Sequence, residues 1–533
     1  MGFKITIRLF FFLPLAVLNS AEETIALSGK DLASIHCVAC HNEPAPTELT
    51  RESWEFCLTY MGYFLGLDRP WDHAQFGAQE QDILSARKEF VQAANLFPSS
   101  PRIAAEDWEQ LKAYYLDNSA PAEAQVSTSS ESVEELSHFR IRPTIYQKSA
   151  ALTSLVVIDE ERKQLLIHDG LDEALTILDR DGDLIGRHLA PEVALVDAHF
   201  EGNQLYSLNI GDLFASRIGE GFGELHRARI VGGIVYGLEV LIRGLHRPAD
   251  FEFCDLDGDG IEDVLISNFG DYTGNLSLFR GNSNAGSFLQ EPIVLSEQPG
   301  IVQTLAHDFN EDGRMDFAVL AGHARENLTI FINEGDLSFS EHPVFTAPAS
   351  FGFTGMLLRD FDNDGRVDFV ILNGDNGDSD PYNTLKSHQG IRILLNRGDL
   401  HFEESYFYPM FGVFGAEVED FDRDGDLDIA AIAFHPDFAA DPPRNFVYLE
   451  QNSALKFTPR THPATFNGRW MRIDSGDLDG DGDKDLVLGA GYSPIGMRFK
   501  HPEKLAEMLQ SGPALLLLEN IHPLSTAGDH EGL

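Results

Sequence analysis

Basic side chains are scarce in this chain beside its acidic ones. Lys and Arg number 39 against 85 Asp and Glu, a formal charge of −46 over 533 residues. So acidic a surface repels phosphate backbones and anionic lipid headgroups, which excludes nucleic acid and a negatively charged membrane as partners. Long apolar runs are missing too. The one candidate, MGFKITIRLFFFLPLAVLNS at residues 1–20, is too short to span a bilayer and no stop-transfer signal follows it. Lys4 and Arg8, an apolar core and small residues at Ser20 and Ala21 make it a signal peptide, so export is expected and a membrane span is not. No cysteine sits at the cleavage point to carry a lipid. A nucleophile elbow, a phosphate-binding loop and a histidine cluster are likewise missing. The nineteen histidines are scattered, with His307, His323 and His435 beside strands but far apart.

Aspartate is what the chain has in excess, and it is ordered. Nearly the same nine residues occur five times: DLDGDGIED from Asp255, DFNEDGRMD from Asp308, DFDNDGRVD from Asp360, DFDRDGDLD from Asp420 and DLDGDGDKD from Asp477. The starts are 53, 52, 60 and 57 residues apart, and each copy runs into an apolar stretch such as VLIS or FVIL. A period near 50 means one supersecondary unit repeated, each burying its apolar face on the next. Carboxylates at positions 1, 3, 5 and 9 repel one another unless a cation gathers them. Glycine at position 6 (Gly260, Gly313, Gly365, Gly425, Gly482) allows the sharp turn that brings them together. Hard oxygen donors in this number suit Ca²⁺, with the position-7 carbonyl as a further ligand. The candidate ligands are Asp255, Asp257, Asp259 and Asp263 in the first copy; Asp308, Asn310, Asp312 and Asp316 in the second; Asp360, Asp362, Asp364 and Asp368 in the third; Asp420, Asp422, Asp424 and Asp428 in the fourth; and Asp477, Asp479, Asp481 and Asp485 in the fifth.

An EF-hand would place a bidentate Glu at position 12 between helices. Position 12 here is Ile266, Val319, Ile371, Ala431 and Leu488, each inside an aliphatic run that reads as a strand. After that run come NLSLFRGNSNAGSF, NLTIFINEGDLSF, IRILLNRGDLHF and NFVYLEQNSALKF, alternating segments broken by tight turns. On these residues the units resemble FG-GAP/VCBS repeats, relatives of the integrin α propeller. The resemblance implies one four-stranded blade per repeat with Ca²⁺ in a loop between strands. Upstream, SLVVIDEERKQLLIHDG, LTILDRDGDLIG and VDAHFEGNQLYSLNIGD keep the strand pattern without the acidic ligands, as two degenerate blades would. Residues 141–525 shared among seven blades give 55 each, which matches the spacing. The expected fold is mainly β, a seven-bladed β-propeller whose last blade finishes with ALLLLEN at 514–520.

The second signal is HCVACH at residues 36–41. C-x-x-C-H is the attachment site of c-type haem: Cys37 and Cys40 form thioethers and His41 is the proximal iron ligand. A thioredoxin-like pair would want a βαβ setting, and a zinc site would want a second Cys/His pair; neither surrounds it. The segment CVACHNEPAPTELTRESWEFCLTYMG resembles small cytochrome c domains that precede such repeat arrays in exported bacterial proteins. That resemblance matches Pro44, Pro46, Trp54 and Met61, and it makes EDWEQLKAYYLDNSAP from Glu106 the closing amphipathic helix, with Trp108, Leu111, Tyr114 and Tyr115 on its apolar side. Met61 is the expected distal ligand, since the next methionine is Met315. The short interval from His41 keeps His73 open as a bis-histidine alternative.

The expected organisation is a signal peptide (1–20), a small all-α cytochrome c-like domain (25–118), a Ser-, Ala- and Glu-rich linker (119–140) and the propeller (141–525). Two cysteines carry covalent haem c, leaving Cys57 and Cys254 as buried thiols. About five Ca²⁺ would neutralise ten of the excess charges. Three functions fit: periplasmic or extracellular electron transfer with the propeller as docking scaffold, a calcium-dependent adhesion or ligand-binding propeller with an accessory haem, and a haem-linked oxidoreductase with its substrate on the propeller. The redox partner or ligand is not specified by the residues.

Overall fold

The computed structural model describes residues 27–39, 41–121, 133–190, 193–211, 213, 221–270, 273–283, 286–323, 325–376 and 380–521. The expected signal peptide, Cys40 and the centre of the expected linker lie outside the described residues. Two parts are built from the rest: four N-terminal helices and a ring of seven sheets, six of four strands and one of five.

The helices are α1 (Gly29–His36), α2 (Arg51–Phe64), α3 (Ala78–Ala93) and α4 (Ala105–Asp117). Their starts follow local chemistry. Ser28 caps α1 in a reciprocal box with Asp31, and the Thr50 hydroxyl accepts the Ser53 N–H at the head of α2. Trp108, Leu111 and Tyr115 on α4 bury against Leu32, Trp54 and Leu58. No helix among the described residues is long and apolar enough to cross a membrane.

The seven sheets are the blades of a propeller. Blades 1 and 2 span residues 153–189 and 195–245, and blades 3, 4, 5 and 6 begin at Pro248, Ile301, Phe353 and Val413. Blade 7 takes three strands from the C-terminal end: Trp470–Gly476, Asp485–Ala490 and Leu515–Asn520. Its fourth strand is Phe139–Arg142, which pairs antiparallel with Leu515–Asn520. The expectation that the array simply ends at Asn520 therefore changes: the ring is closed by a strand from before blade 1. Residues 134–142, read as the end of a linker and the start of the first blade, carry this strand and a two-residue strand, Glu134–Glu135, parallel to the edge of blade 6. Closure in this manner removes the free edge that a linear stack of sheets would expose.

Within a blade the second strand is buried from end to end, as in Asp263–Asn268, Asp368–Asn373 and Asp428–Ala433. Neighbouring blades cover both of its faces, so the sequence there is a continuous apolar run rather than an alternation. The first strands pack against one another around the axis, where they enclose a channel of about 380 Å³. Each is the inner edge of its sheet, with one row of N–H groups lacking a ladder partner. Polar side chains of the preceding blade fill that role. Asp197 accepts the Phe251 N–H at 3.2 Å, Asp250 that of Thr304 at 2.9 Å, Gln303 that of Met356 at 2.8 Å and Asp474 that of Ile158 at 2.6 Å. The Arg359 guanidinium donates to the Val418 carbonyl at 3.0 Å, and the Ser475 hydroxyl to Glu417 at 3.0 Å.

Acids held this way give up water for protein. Desolvation pushes Glu252 and Asp474 up to about 7, and desolvation with the Asp474 charge pushes Glu417 up to about 8. In the unfolded chain these groups ionise near pH 4. Their contribution to stability is therefore full below that pH and is lost as the pH rises through about 7 to 8. Thermal denaturation should show the melting temperature falling between pH 6 and pH 8, with Glu417→Gln flattening the fall. An unchanged slope in that variant would count against the assignment.

Candidate functional site: aspartate loops and a cavity between helices and propeller

The five aspartate repeats are the connections between the first and second strands of blades 3 to 7. Position 6 has φ between +83 and +100 in all five, a conformation that glycine reaches without strain. The turn places its N–H on the first aspartate: Gly260 on Asp255 at 2.9 Å, Gly313 on Asp308 at 2.8 Å, Gly365 on Asp360 at 2.9 Å and Gly425 on Asp420 at 3.2 Å.

Among the described residues, four loops gather three carboxylates to within 4.8 Å of one another, but not always the same three. Blades 3 and 7 use positions 1, 3 and 5 (Asp255, Asp257, Asp259; Asp477, Asp479, Asp481), while blades 5 and 6 use positions 1, 3 and 9 (Asp360, Asp362, Asp368; Asp420, Asp422, Asp428). Asp364 and Asp424 stay outside these triplets, as do Asp263 and Asp485. In the blade 4 loop, where the third position is Asn310, Asp312 is paired with Arg314 and Asn310 instead of joining Asp308 and Asp316.

Position 9 has a second task that the motif alone does not announce. It opens the second strand, is buried, and in four of the five loops uses both oxygens on backbone N–H groups, while Asp428 takes the Gln451 N–H on one oxygen and the Tyr448 hydroxyl on the other. Asp368 accepts from Phe361 and Asn396, each at 2.8 Å, and Asp485 accepts from Leu478 at 3.1 Å and Asn520 at 2.9 Å. Burial pushes Asp368 up to about 6, and Asp428 and Asp485 up to about 7. The buried Oδ1 atoms of Asp362 and Asp420 have no hydrogen-bond partner. A set of hard oxygens with unsatisfied, crowded negative charge fits a divalent hard cation. The loops are also tied from blade to blade. The Asn333 amide donates to the Leu256 carbonyl of the preceding loop at 2.9 Å, and Asn520 does the same to Phe421 at 2.8 Å.

At the other end of the blades lies a cavity of about 350 Å³ between the helices and blades 3 to 5, within the roughly 300–1,000 Å³ of small-molecule sites. Cys37 and His41 line it where the chain leaves α1. The α2 wall presents Trp54, Cys57, Leu58, Met61 and Leu65, a stripe at helical spacing. Trp54 donates its indole N–H to the Pro46 carbonyl at 2.7 Å and Tyr115 its hydroxyl to the Pro44 carbonyl at 3.3 Å, which pins the turn after His41. The Tyr115 hydroxyl also lies 3.7 Å from Cys37 Sγ. His41 Nδ1 is 2.9 Å from the Asn42 carbonyl, a bond that orients the ring and leaves Nε2 for another role. Burial pushes His41 below the ordinary histidine range, which favours the neutral imidazole. Cys57 is a buried thiol outside any disulfide, pushed up to about 12 by burial; Cys254 is likewise buried and outside any disulfide. His73 sits elsewhere, with Nε2 3.0 Å from the Tyr63 hydroxyl and outside the cavity wall.

The propeller supplies the rest of that wall. Its contributions include His323 and Glu326 from blade 4, and Asp380 and Lys386 from residues 374–389 between the second and third strands of blade 5. That insertion docks the helices. Ser53 Oγ lies 3.0 Å from Asp380 and 2.8 Å from Thr384, and Tyr382 is buried among Phe56, Tyr60 and Tyr63. Asn42 reaches the Ala347 carbonyl at 2.6 Å, Tyr382 pairs with Glu80, and Lys500 with Glu52. None of these propeller residues stood out in the sequence. The longest spacing between aspartate repeats, the 60 residues spanning blade 5, is the one signal that pointed to the insertion.

Residues 255–319 and 308–371 match the family model described as FG-GAP-like repeat, so this stretch carries FG-GAP repeats. No curated protein matches the chain. Among solved structures, a chain from Saccharomyces cerevisiae Dbp5 bound to Nup159, Gle1, IP6 and ADP is 10% identical with a TM-score of 0.39, covering 73% of this chain and 97% of that one. The N-terminal domain of Nup159 is 10% identical at TM-score 0.40, covering 73% and 97%. Saccharomyces cerevisiae Sqt1 is 8% identical at 0.41, covering 71% and 98%. Likeness at these scores carries no argument about this chain.

The blade-to-blade amide bonds have a measurable value. Asn520→Ala leaves the buried Phe421 carbonyl without its donor, and chemical denaturation should show a loss of about 1–3 kcal/mol.

Proposed function

We propose that this chain is an exported c-type haem protein that transfers electrons, with a calcium-binding FG-GAP propeller as the scaffold that docks its partner and seats the haem-bearing helices. The observation that carries the reading is the apolar cavity on which Cys37, His41 and Met61 converge, from a sequence spelling C-x-x-C-H. Cys37 and Cys40 would hold the porphyrin as thioethers, and His41 would bind the iron through Nε2. Haem supplies reversible one-electron chemistry when bound. The residues around it exclude water: Trp54, Leu58, Leu111 and Tyr115 form apolar walls, and the propeller loops cover the remaining side. Covering the group with protein limits solvent access, one of the levers that set its potential.

The aspartate loops would hold Ca²⁺ with Asp255, Asp257 and Asp259 in blade 3 and their counterparts in blades 5, 6 and 7, and a weaker site in blade 4. They face the end of the propeller opposite the cavity, because successive connections along an antiparallel blade alternate between its two ends. Calcium in this position stiffens the blades and has no direct contact with the redox site. Export suits both groups, since extracellular calcium modules work at a Kd of about 10⁻⁴ to 10⁻³ M.

Two measurements test the reading. Mass spectrometry of the exported chain should show one added porphyrin mass, lost in Cys37→Ala, together with a reduced-minus-oxidised spectrum of c type; an unmodified mass defeats the haem assignment. Chelation of calcium should lower the melting temperature while leaving the haem spectrum unchanged. A site held at tenfold excess over its Kd contributes about 1.4 kcal/mol, and Asp420→Asn should remove one site's share.

A further inference from the structure

Sequence alone offers Met61 and His73 as partners for His41 on the iron, both from the helices. Besides His41 the cavity wall carries two more imidazoles: His36, next to Cys37 on the attachment segment itself, and His323 on the propeller. His323 opens the connection after the second strand of blade 4, Asp316–Ala321, and lines the same cavity as Cys37 and His41. His73 does not reach that wall.

The His323 side chain is firmly seated. The Gly322 N–H donates to the Gly300 carbonyl at 2.9 Å, and the Gly300 N–H to the Phe269 carbonyl at 2.7 Å, so connections from blades 3 and 4 are laced together beneath it. Gly300 has φ +81, and a Cβ there would lie 2.3 Å from the Cβ of His323. Any other residue at 300 would push the histidine away. The Phe269 ring meets the imidazole edge-on with centroids 5.7 Å apart, which restricts its rotation. Two imidazoles lining one largely apolar cavity, each oriented by its surroundings, are what a low-spin iron takes as an axial pair. Met61 lines the cavity too, but its side chain also packs on the aromatic cluster of Phe56, Tyr60, Tyr63 and Phe76, an apolar role it fills without iron.

We propose that His323 of the propeller is the second axial ligand of the haem iron, with His41 as the first, so that both parts of the chain coordinate one prosthetic group. This rests on the covalent haem reading above. Iron coordination would then help hold the helices on the propeller, and the potential would lie below that of a His/Met centre.

The test uses the full-length exported chain with haem attached, that attachment being established first by mass. No porphyrin mass defeats the haem reading itself, whatever His323 does. With haem present, the ferric wild type should be low-spin and lack the far-red charge-transfer band of a sulfur–iron bond. His323→Ala should lose the low-spin spectrum, regain it with added imidazole, and show a raised reduction potential when Met61 takes over the vacant position. His323→Met should gain the sulfur band. Met61→Leu and His73→Gln should keep the wild-type spectrum and potential. The proposal is overturned if His323→Ala retains both, or if Met61→Leu loses the low-spin state, a result that is readable even if the His323 variants do not fold.

Discussion

The ring depends on satisfying the inner edge of every blade. An antiparallel sheet of four strands leaves one row of backbone N–H groups facing the axis, and seven such rows converge on a channel too narrow to hydrate them freely. Polar side chains from the preceding blade accept those protons, as Asp197 does for Phe251 and Asp474 for Ile158. The acids are thus part of the backbone hydrogen-bond network of the next sheet. This explains why a propeller with such apolar blade interiors keeps Asp250, Glu252 and Asp474 at its centre, where burial raises their proton affinity.

The same logic of borrowed partners runs outward. At one end of the blades, the position-9 aspartates fasten loop to strand and the Asn333 and Asn520 amides fasten loop to neighbouring loop. At the other end, the blade 5 insertion lends Tyr382 to the core of the helices and Asp380 to Ser53. The helices therefore rest on blades 3 to 5, which also carry the matched FG-GAP repeats, while the ring is closed on its far side by Phe139–Arg142. The chain joins the two parts once, through the residues before the closing strand, and packing joins them again through the docked insertion.

Much was legible in the residues because the signals are local. Five copies of one nine-residue loop fix a repeat, a turn with glycine in the left-handed region and the strand that follows. Val196 to Asp212 and Ser154 to Gly186 reveal two further blades by strand pattern alone. C-x-x-C-H sets two thiols and an imidazole within five residues, the groups of the proposed haem attachment, and the stripe of Trp54, Leu58 and Met61 is a matter of helical period. Other features were hidden because they depend on long-range packing. Which three aspartates approach one another differs between blades 3 and 5, although the loops read almost alike.

The sequence by itself determined the repeat, the blade interiors, the acidic loops and the haem-attachment pattern, since each is written in residues within one turn or one strand of each other. Only the tertiary structure decided that Phe139 closes the last blade, that residues 374–389 seat the helices, and that His323 shares a cavity with His41 while His73 does not. These pairings join groups hundreds of residues or several blades apart. No periodicity encodes them; they arise when the ring closes and brings one end of blades 3 to 5 against the helices.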